Sequence, residues 1–456
     1  MSSSMFKEHS SQQERLHILL NEARQRYIDR NPGSKKLHEE ALENLPGGNT
    51  RSILHADPFP ICLQRGFGNR LVDVDGHEYL DFVGDMTAGV YGHSHPVIQE
   101  ALISTMREKG LNLGGTSAEE NQFASIIRHR IPSIQKLRFC NSGTEANLYA
   151  LSIARHFTGL SKVIVFEGAY HGGVLTFAHG VAANNVDKQD WILAKYNDVK
   201  KVKKLLAENK GRVAAVLVEG MQGAGGCIPG SAEFLHAIQD SAKENGIIFI
   251  LDEVMTFRLA PGGVQSKILH PQLGIALNPD LTTLGKIIAG GMTIGAFGGR
   301  ADLLSVYDPR ISMVQHSGTF NNNSLAMVIG CKALSIIYTP EICIELNKLG
   351  DMFRERLQLL AKEKKMKVTG VGSVCNIHFV RTIAHEICGI EDITVEPGSS
   401  ETVLKDLLCF HALESGFWIS RRGMLSLVIG TTKEETDGFV EMIQRFLSEH
   451  QEFVGS

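Results

Sequence analysis

The chain has 456 residues, 43% of them hydrophobic and 21% charged, enough apolar material for a large core and too much for a disordered tail or a miniprotein. Lysine and arginine number 46 against 50 aspartates and glutamates, a net charge of −4, so a protein built to neutralise nucleic-acid phosphates is not expected. Eight cysteines without a C-x-x-C pair, a polar stretch Met1–Glu14 and the lack of an apolar run near ~20 residues predict reduced thiols, a cytoplasmic location and no membrane span.

In chain order, residues 1 to about 35 read as loosely ordered or as surface helix, and Leu37–Leu45 has helical spacing that Pro46-Gly47-Gly48 stops. Leu71–Phe82 alternates apolar and polar residues around Asp75-Gly76, which predicts a hairpin. The apolar runs Lys136–Cys140, Lys162–Phe166, Val213–Val218, Ile247–Leu251 and Leu281–Leu284 then alternate with helix-like stretches such as Glu145–Phe157 and Ala232–Asn245. That rhythm predicts an α/β fold with a mostly parallel sheet covered by helices. Lys200, Lys201, Lys203 and Lys204 interleave with apolar residues and read as a solvated helix face. Beyond about residue 330 longer helices (Met352–Lys364, Ser400–Leu413, Thr436–Gln451) predict a smaller α+β unit.

In an open parallel sheet the ligand lies at the carboxyl ends of the strands, so the residues that end each apolar run carry the most information. Asn141-Ser-Gly-Thr-Glu145 follows one run and opens a helix, where free backbone N–H groups and the Ser142 and Thr144 hydroxyls beside Gly143 can cradle a phosphate; Ser142 or Thr144 can equally serve as an ordinary helix cap. Asp252 and Glu253 end a second run and are expected to be at least partly buried, hence to have a cationic partner or several donors. Lys286 stands between an apolar strand and the turn Gly290-Gly291, either paired with a carboxylate or held as a nucleophilic amine. Rival motifs fail: Gly285-Lys286 lacks the first glycine and the Ser/Thr of a P-loop, Gly220–Gly226 does not spell G-x-G-x-x-G, and His93 with His95 has no further metal ligands in view.

A phosphate cradle, a strand-end aspartate and a strand-end lysine together meet the needs of pyridoxal phosphate. From about Pro32 to its end the chain resembles the class III aminotransferases of pyridoxal-phosphate fold type I, a group that includes glutamate-1-semialdehyde aminomutase. The motifs that carry the resemblance are Asn-Ser-Gly-Thr-Glu-Ala (141–146), Tyr-His-Gly (170–172), Val-Glu-Gly-Met-Gln-Gly (218–223), Leu-Asp-Glu-Val-Met-Thr (251–256), Thr-Leu-Gly-Lys (283–286) and His-Ser-Gly-Thr-Phe-Asn-Asn-Asn (316–323). It implies a large domain at 81–329 with a seven-stranded sheet, and a small domain built from 1–80 and 330–456. It also implies that Lys286 bonds the cofactor aldehyde and Asp252 contacts its ring nitrogen. Tyr170 would stack on the ring, Ser142, Gly143 and Thr144 hold the phosphate, and Glu219 either orient the site from behind or serve only in structural pairing. Thr319 would reach the same phosphate from the second subunit of a homodimer.

Met255 is shared with the aminomutase, but Tyr170-His-Gly-Gly173 and Pro46-Gly-Gly-Asn-Thr-Arg51 depart from it. The segments Gly47-Gly-Asn-Thr-Arg51, Thr87-Ala-Gly-Val-Tyr-Gly-His93 and Arg258-Leu-Ala-Pro-Gly-Gly263 are most similar to the β-phenylalanine aminotransferases. That resemblance implies transfer from a β-amino acid to a keto acid such as 2-oxoglutarate or pyruvate, with Arg51 and Arg422 gripping carboxylates; Arg421, adjacent, competes for the second role. The alternatives are the aminomutase, a broad ω-amine transaminase, or a non-enzymatic relative, against which intact Lys286 and Asp252 argue.

Overall fold

Seven strands form the central sheet of the computed structural model, which describes residues 3–312 and 314–455. Across the sheet the order is Lys136–Cys140, Gly295–Gly299, Leu281–Gly285, Ile248–Asp252, Val213–Glu219, Lys162–Phe166 and Trp191–Ala194. All run parallel except Gly295–Gly299, which pairs antiparallel with both neighbours. Val213–Glu219, Ile248–Asp252 and Leu281–Gly285 are buried at every position, the signature of strands covered by helices on both faces.

Two of the covering helices show how local sequence sets their ends. Gly143–Thr158 starts where the Ser142 hydroxyl accepts from the Glu145 N–H and stops at Gly159 in the left-handed conformation. Ala232–Asn245 repeats the device with Ser231 and Gly246. The lysines at 200, 201, 203 and 204 are exposed on the helix Val199–Glu208, with Val202 and Leu206 buried on its other side.

The predicted hairpin is present, Arg70–Asp73 pairing antiparallel with Glu78–Asp81. Its outer partner Phe417–Trp418 comes from the far end of the chain and adds in parallel to Leu80 and Asp81. A three-stranded sheet of Met366–Val371, Val374–Phe379 and Met424–Ser426 packs beside the helix Pro340–Ala361.

Several boundaries differ from the sequence-based expectation. The N-terminal segment is one helix, Ser3–Arg30, whose Leu16, Leu20, Ala23 and Tyr27 are buried, so this part of it is anchored to the core. The next helix is Pro32–Leu42, set by Pro32 in its first turn. The helix expected from Met352 already begins at Pro340 because Thr339 caps it, and the last long helix begins at Lys433 behind a Thr432/Glu435 capping box. Among the described residues no single helix is long and apolar enough to cross a membrane.

Candidate active site

The ends of Val213–Glu219, Ile248–Asp252 and Leu281–Gly285 lie side by side, in register Asp252 to Glu219 and Asp252 to Thr283. Parallel pairing therefore gathers Glu219, Asp252 and Lys286 on one sheet edge although they are far apart in the chain. Asp252 is 4% exposed and has the several donors expected of a buried carboxylate. Its Oδ2 accepts from Asn147 Nδ2 at 2.8 Å and lies 2.8 Å from His171 Nδ1, while Oδ1 accepts from the Val254 N–H at 2.9 Å. Asn147 is fixed in turn, its Oδ1 accepting from the Thr283 hydroxyl at 2.8 Å.

Glu253 points the other way. Its carboxylate accepts from Thr256, from the Val264 and Gln265 N–H groups and from the Gln265 side chain, so it organises the loop behind the strand. Glu219 accepts from the Tyr170 N–H at 3.0 Å and the Gly223 N–H at 2.9 Å. Burial is the main cause that pushes its carboxyl up to about 7; the nearby Asp252 charge pushes the same way, and His171 opposes.

Lys286 occupies the left-handed conformation at φ 52°, and its Nζ donates to Thr87 Oγ1 at 3.1 Å. Burial pushes its ammonium below the usual lysine range and the Arg258 charge adds to that, against the pull of Asp252 and Glu219. The result is an amine that gives up its proton more readily than an exposed lysine, as a nucleophilic role requires.

Ser142 is the helix cap, its Oγ accepting from the Glu145 N–H at 3.1 Å. The first amides of this helix have no partner within it, so the Gly143 and Thr144 N–H groups and the Thr144 hydroxyl could hold an anion. The turn is built for close approach: a Cβ on Gly143 would come within 2.7 Å of Val254, one on Gly285 within 3.3 Å of Gly143 N, and one on Gly172 within 2.4 Å of Thr144 Oγ1. Glycines thus let the strand-end turns carrying Lys286 and Tyr170 lie against the cradle. Tyr170 presents its side chain openly, 48% exposed, next to His171, which is buried. An anion cradle, a low-pKa amine and a buried carboxylate at one sheet edge match the phosphate, aldehyde and ring nitrogen of pyridoxal phosphate.

Thr319 is exposed on a loop tied to its own chain: Asn112 Nδ2 donates to the Thr319 carbonyl at 3.4 Å, Asn141 Nδ2 to Asn321 Oδ1 at 2.9 Å and the Tyr149 hydroxyl to the Ser317 carbonyl at 3.1 Å.

Arg51 and Arg422 line one cavity of about 540 Å³, walled by Ile53, Leu54, Phe59, Met86, Trp418 and Ile419 among others. The cavity reaches Asp85 and Met86, immediately before the Thr87 that contacts Lys286. Arg51 Nη1 is bound to Asp85 Oδ1 at 2.8 Å. Arg421 is occupied by the Asp57 carbonyl at 2.7 Å and by Asp406 at 3.1 Å, whereas among the described residues Arg422 forms no ion pair. Both neighbours line the cavity; Arg421 is held by these contacts, while Arg422 is exposed and has no ion pair among the described residues.

Four contributors were not identified from sequence. His171 stood inside a recognised motif, and Asn147 one residue beyond another, without a role for either; Thr87 and Arg258 stood in quoted segments. Only their three-dimensional partners reveal them.

Residues 53–447 match the model of the family described as aminotransferase class-III. The chain is 46% identical over 433 residues to an uncharacterized aminotransferase of Schizosaccharomyces pombe, covering 95% of this chain and 96% of that protein. It is 43% identical over 433 residues to the β-phenylalanine transaminase of Variovorax paradoxus, covering 94% and 96%. The solved structure of the β-phenylalanine aminotransferase from that organism superposes with a TM-score of 0.91 at 42% identity, over 96% of this chain and 99% of that one.

Proposed function

The chain belongs to the class III aminotransferases and uses pyridoxal phosphate, and we propose that within this family it moves an amino group from a β-amino acid with an apolar side chain to a keto acid such as 2-oxoglutarate or pyruvate. The observation that carries the reading is the shared cavity: Arg51 and Arg422, from distant segments, line it together with apolar residues, and its wall includes Met86, the residue before the Thr87 that contacts Lys286. Arginine grips a carboxylate with two parallel bonds, and a transaminase must hold the carboxylates of donor and acceptor in turn. The similarity to a β-phenylalanine transaminase supports the β-amino acid and an apolar substituent.

When bound, pyridoxal phosphate supplies an aldehyde that condenses with amines and a protonated ring that accepts electrons from the adjacent carbon. Gly143 and Thr144, with the capping Ser142, would hold its phosphate, and Tyr170 would cover its ring. Asp252, its charge fixed by Asn147, His171 and the Val254 N–H, would keep the ring nitrogen protonated. Lys286 Nζ would take the proton from the amine-bearing carbon of the donor and return a proton on the other side of the transfer. Glu219 orients the segment that carries Tyr170 through the Tyr170 N–H.

The same reading makes the active unit a homodimer in which Thr319 serves the partner's phosphate; the exposed Leu111, Leu113 and Phe320, on segments joined through Asn112 and Thr319, support it. Sedimentation of a cofactor-loaded, active monomer would refute the dimer.

Kinetics of Arg422→Ala test the substrate grip. Each charge-assisted bond is worth roughly 1.5–3 kcal/mol, so kcat/KM for β-amino acid and keto acid should fall by about ten- to hundredfold while simple amines are little affected. Equal loss on amines and amino acids, or none on either, would remove Arg422 from carboxylate binding.

A further inference from the structure

Arg258 is fully buried, and among the described residues no carboxylate pairs with it. Its guanidinium is spent instead on neutral acceptors: Nη1 donates to the Thr87 carbonyl at 3.1 Å and to Ser426 Oγ at 2.8 Å, and Nη2 to Ser373 Oγ at 3.3 Å and to the Leu427 carbonyl. A buried cation without a counter-charge is costly, and a residue serving only to fill space there would not carry a charge. It is delivered by the short turn Thr256–Leu259, which begins four residues after Asp252.

What it holds is equally unusual. Gly84, Asp85, Met86 and Thr87 lie at φ 52°, 44°, 53° and 76°, a left-handed run in which only the first residue is glycine. L-residues with side chains avoid this region, and such strain persists only where surrounding contacts enforce it, most often beside functional groups. The run places the Asp85 carboxylate on Arg51 and the Thr87 hydroxyl on Lys286. Thr87, like Arg258, is fully buried.

We propose that Arg258 is a positioning residue: its guanidinium clamps the left-handed turn at 84–87 and thereby fixes the Thr87 hydroxyl on the Lys286 amine. This rests on Lys286 being the catalytic amine. The charges of Asp252 and Glu219 favour its ammonium form and Arg258 is the cation that opposes them; the nearby Cys227 thiol, which burial pushes far up, stays uncharged. The clamp's charge therefore also eases loss of the amine's proton.

The test combines chemical labelling of apoprotein with kinetics of holoenzyme. In apoprotein, the rate of acylation of Lys286 by acetic anhydride is followed against pH by peptide mass spectrometry. Arg258→Gln should move the labelling midpoint to higher pH, because a nearby positive charge that disfavours the ammonium is removed. In holoenzyme it should lower kcat about tenfold with KM little changed, and Arg258→Lys should restore part of kcat. Thr87→Val, which keeps the carbonyl that Arg258 holds and removes only the hydroxyl, should lower kcat by about five- to tenfold, the worth of one hydrogen bond, with Thr87→Ser restoring it. Thr87→Val carries the test if Arg258→Gln does not fold.

An unmoved midpoint in Arg258→Gln, or wild-type kcat in Thr87→Val, overturns the clamp. The reading of Lys286 fails separately, if borohydride reduction of the wild-type holoenzyme places the pyridoxyl group on another lysine.

Discussion

Asp252→Asn changes one oxygen to an amide nitrogen at a site where every partner is a donor. In the native arrangement Oδ2 serves Asn147 and His171 and Oδ1 serves the Val254 N–H. An asparagine can aim its single oxygen at the first pair, which leaves its NH₂ facing the Val254 N–H, or at Val254, which leaves two donors unserved. Asn147 cannot simply turn over to help, because its own oxygen is held by Thr283. The cheaper choice leaves one buried donor unsatisfied at about 1–3 kcal/mol and weakens two charge-assisted bonds, so apoprotein should lose about 2–4 kcal/mol of unfolding free energy. In holoenzyme the missing negative charge no longer holds the proton on the ring nitrogen, and kcat should fall by about 10²-fold or more, as when a single preorganised electrostatic group is removed. Urea unfolding of apoprotein reads the first effect and steady-state transamination the second. Wild-type values in both would refute the assignment of Asp252; lost stability with full activity would leave it a purely structural carboxylate.

Glu219 gives a pH dependence of definite sign. Its carboxyl is pushed up to about 7 in the fold against 4.5 for the ordinary group, so between these values the folded protein binds the extra proton. The stabilisation is fully present below pH ~4.5 and lost as pH rises through 7, about 3 kcal/mol in all, and Glu219→Gln should flatten the pH profile of apoprotein unfolding over that window. Parallel profiles for the two proteins would contradict it. Lys286→Ala should abolish transamination and, after borohydride reduction, leave no pyridoxylated peptide; a retained pyridoxyl group would place the amine elsewhere.

The strand-end residues Glu219, Asp252 and Lys286 were legible because parallel strands buried on both faces read as unbroken apolar runs, and the residue that breaks each run marks the ligand edge. Gly295–Gly299 was not legible, since at its glycines the neighbours come too close to admit side chains: a Cβ on Gly295 would lie 2.1 Å from the Ser142 carbonyl, and one on Gly298 2.7 Å from that of Lys136. Ala296 and Phe297 alone are too short an apolar run to mark a strand. Arg51 and Arg422 meet because Phe417–Trp418 adds to the N-terminal hairpin, a pairing across most of the chain that no local periodicity encodes. Thr87, Asn147 and Arg258 act through partners more than a hundred residues away, which explains why sequence spacing did not reveal them.

The most direct test of the proposed reaction is transfer of nitrogen from ¹⁵N-labelled β-phenylalanine to unlabelled 2-oxoglutarate or pyruvate by the cofactor-loaded protein, followed by mass spectrometry of the amino acid formed. The account predicts ¹⁵N-glutamate or ¹⁵N-alanine in amounts equal to the donor consumed, with ¹⁵N-labelled α-phenylalanine a poorer donor. No transfer from the β-amino acid, together with isomerisation of glutamate-1-semialdehyde in the absence of any keto acid, would contradict it and make the protein an aminomutase.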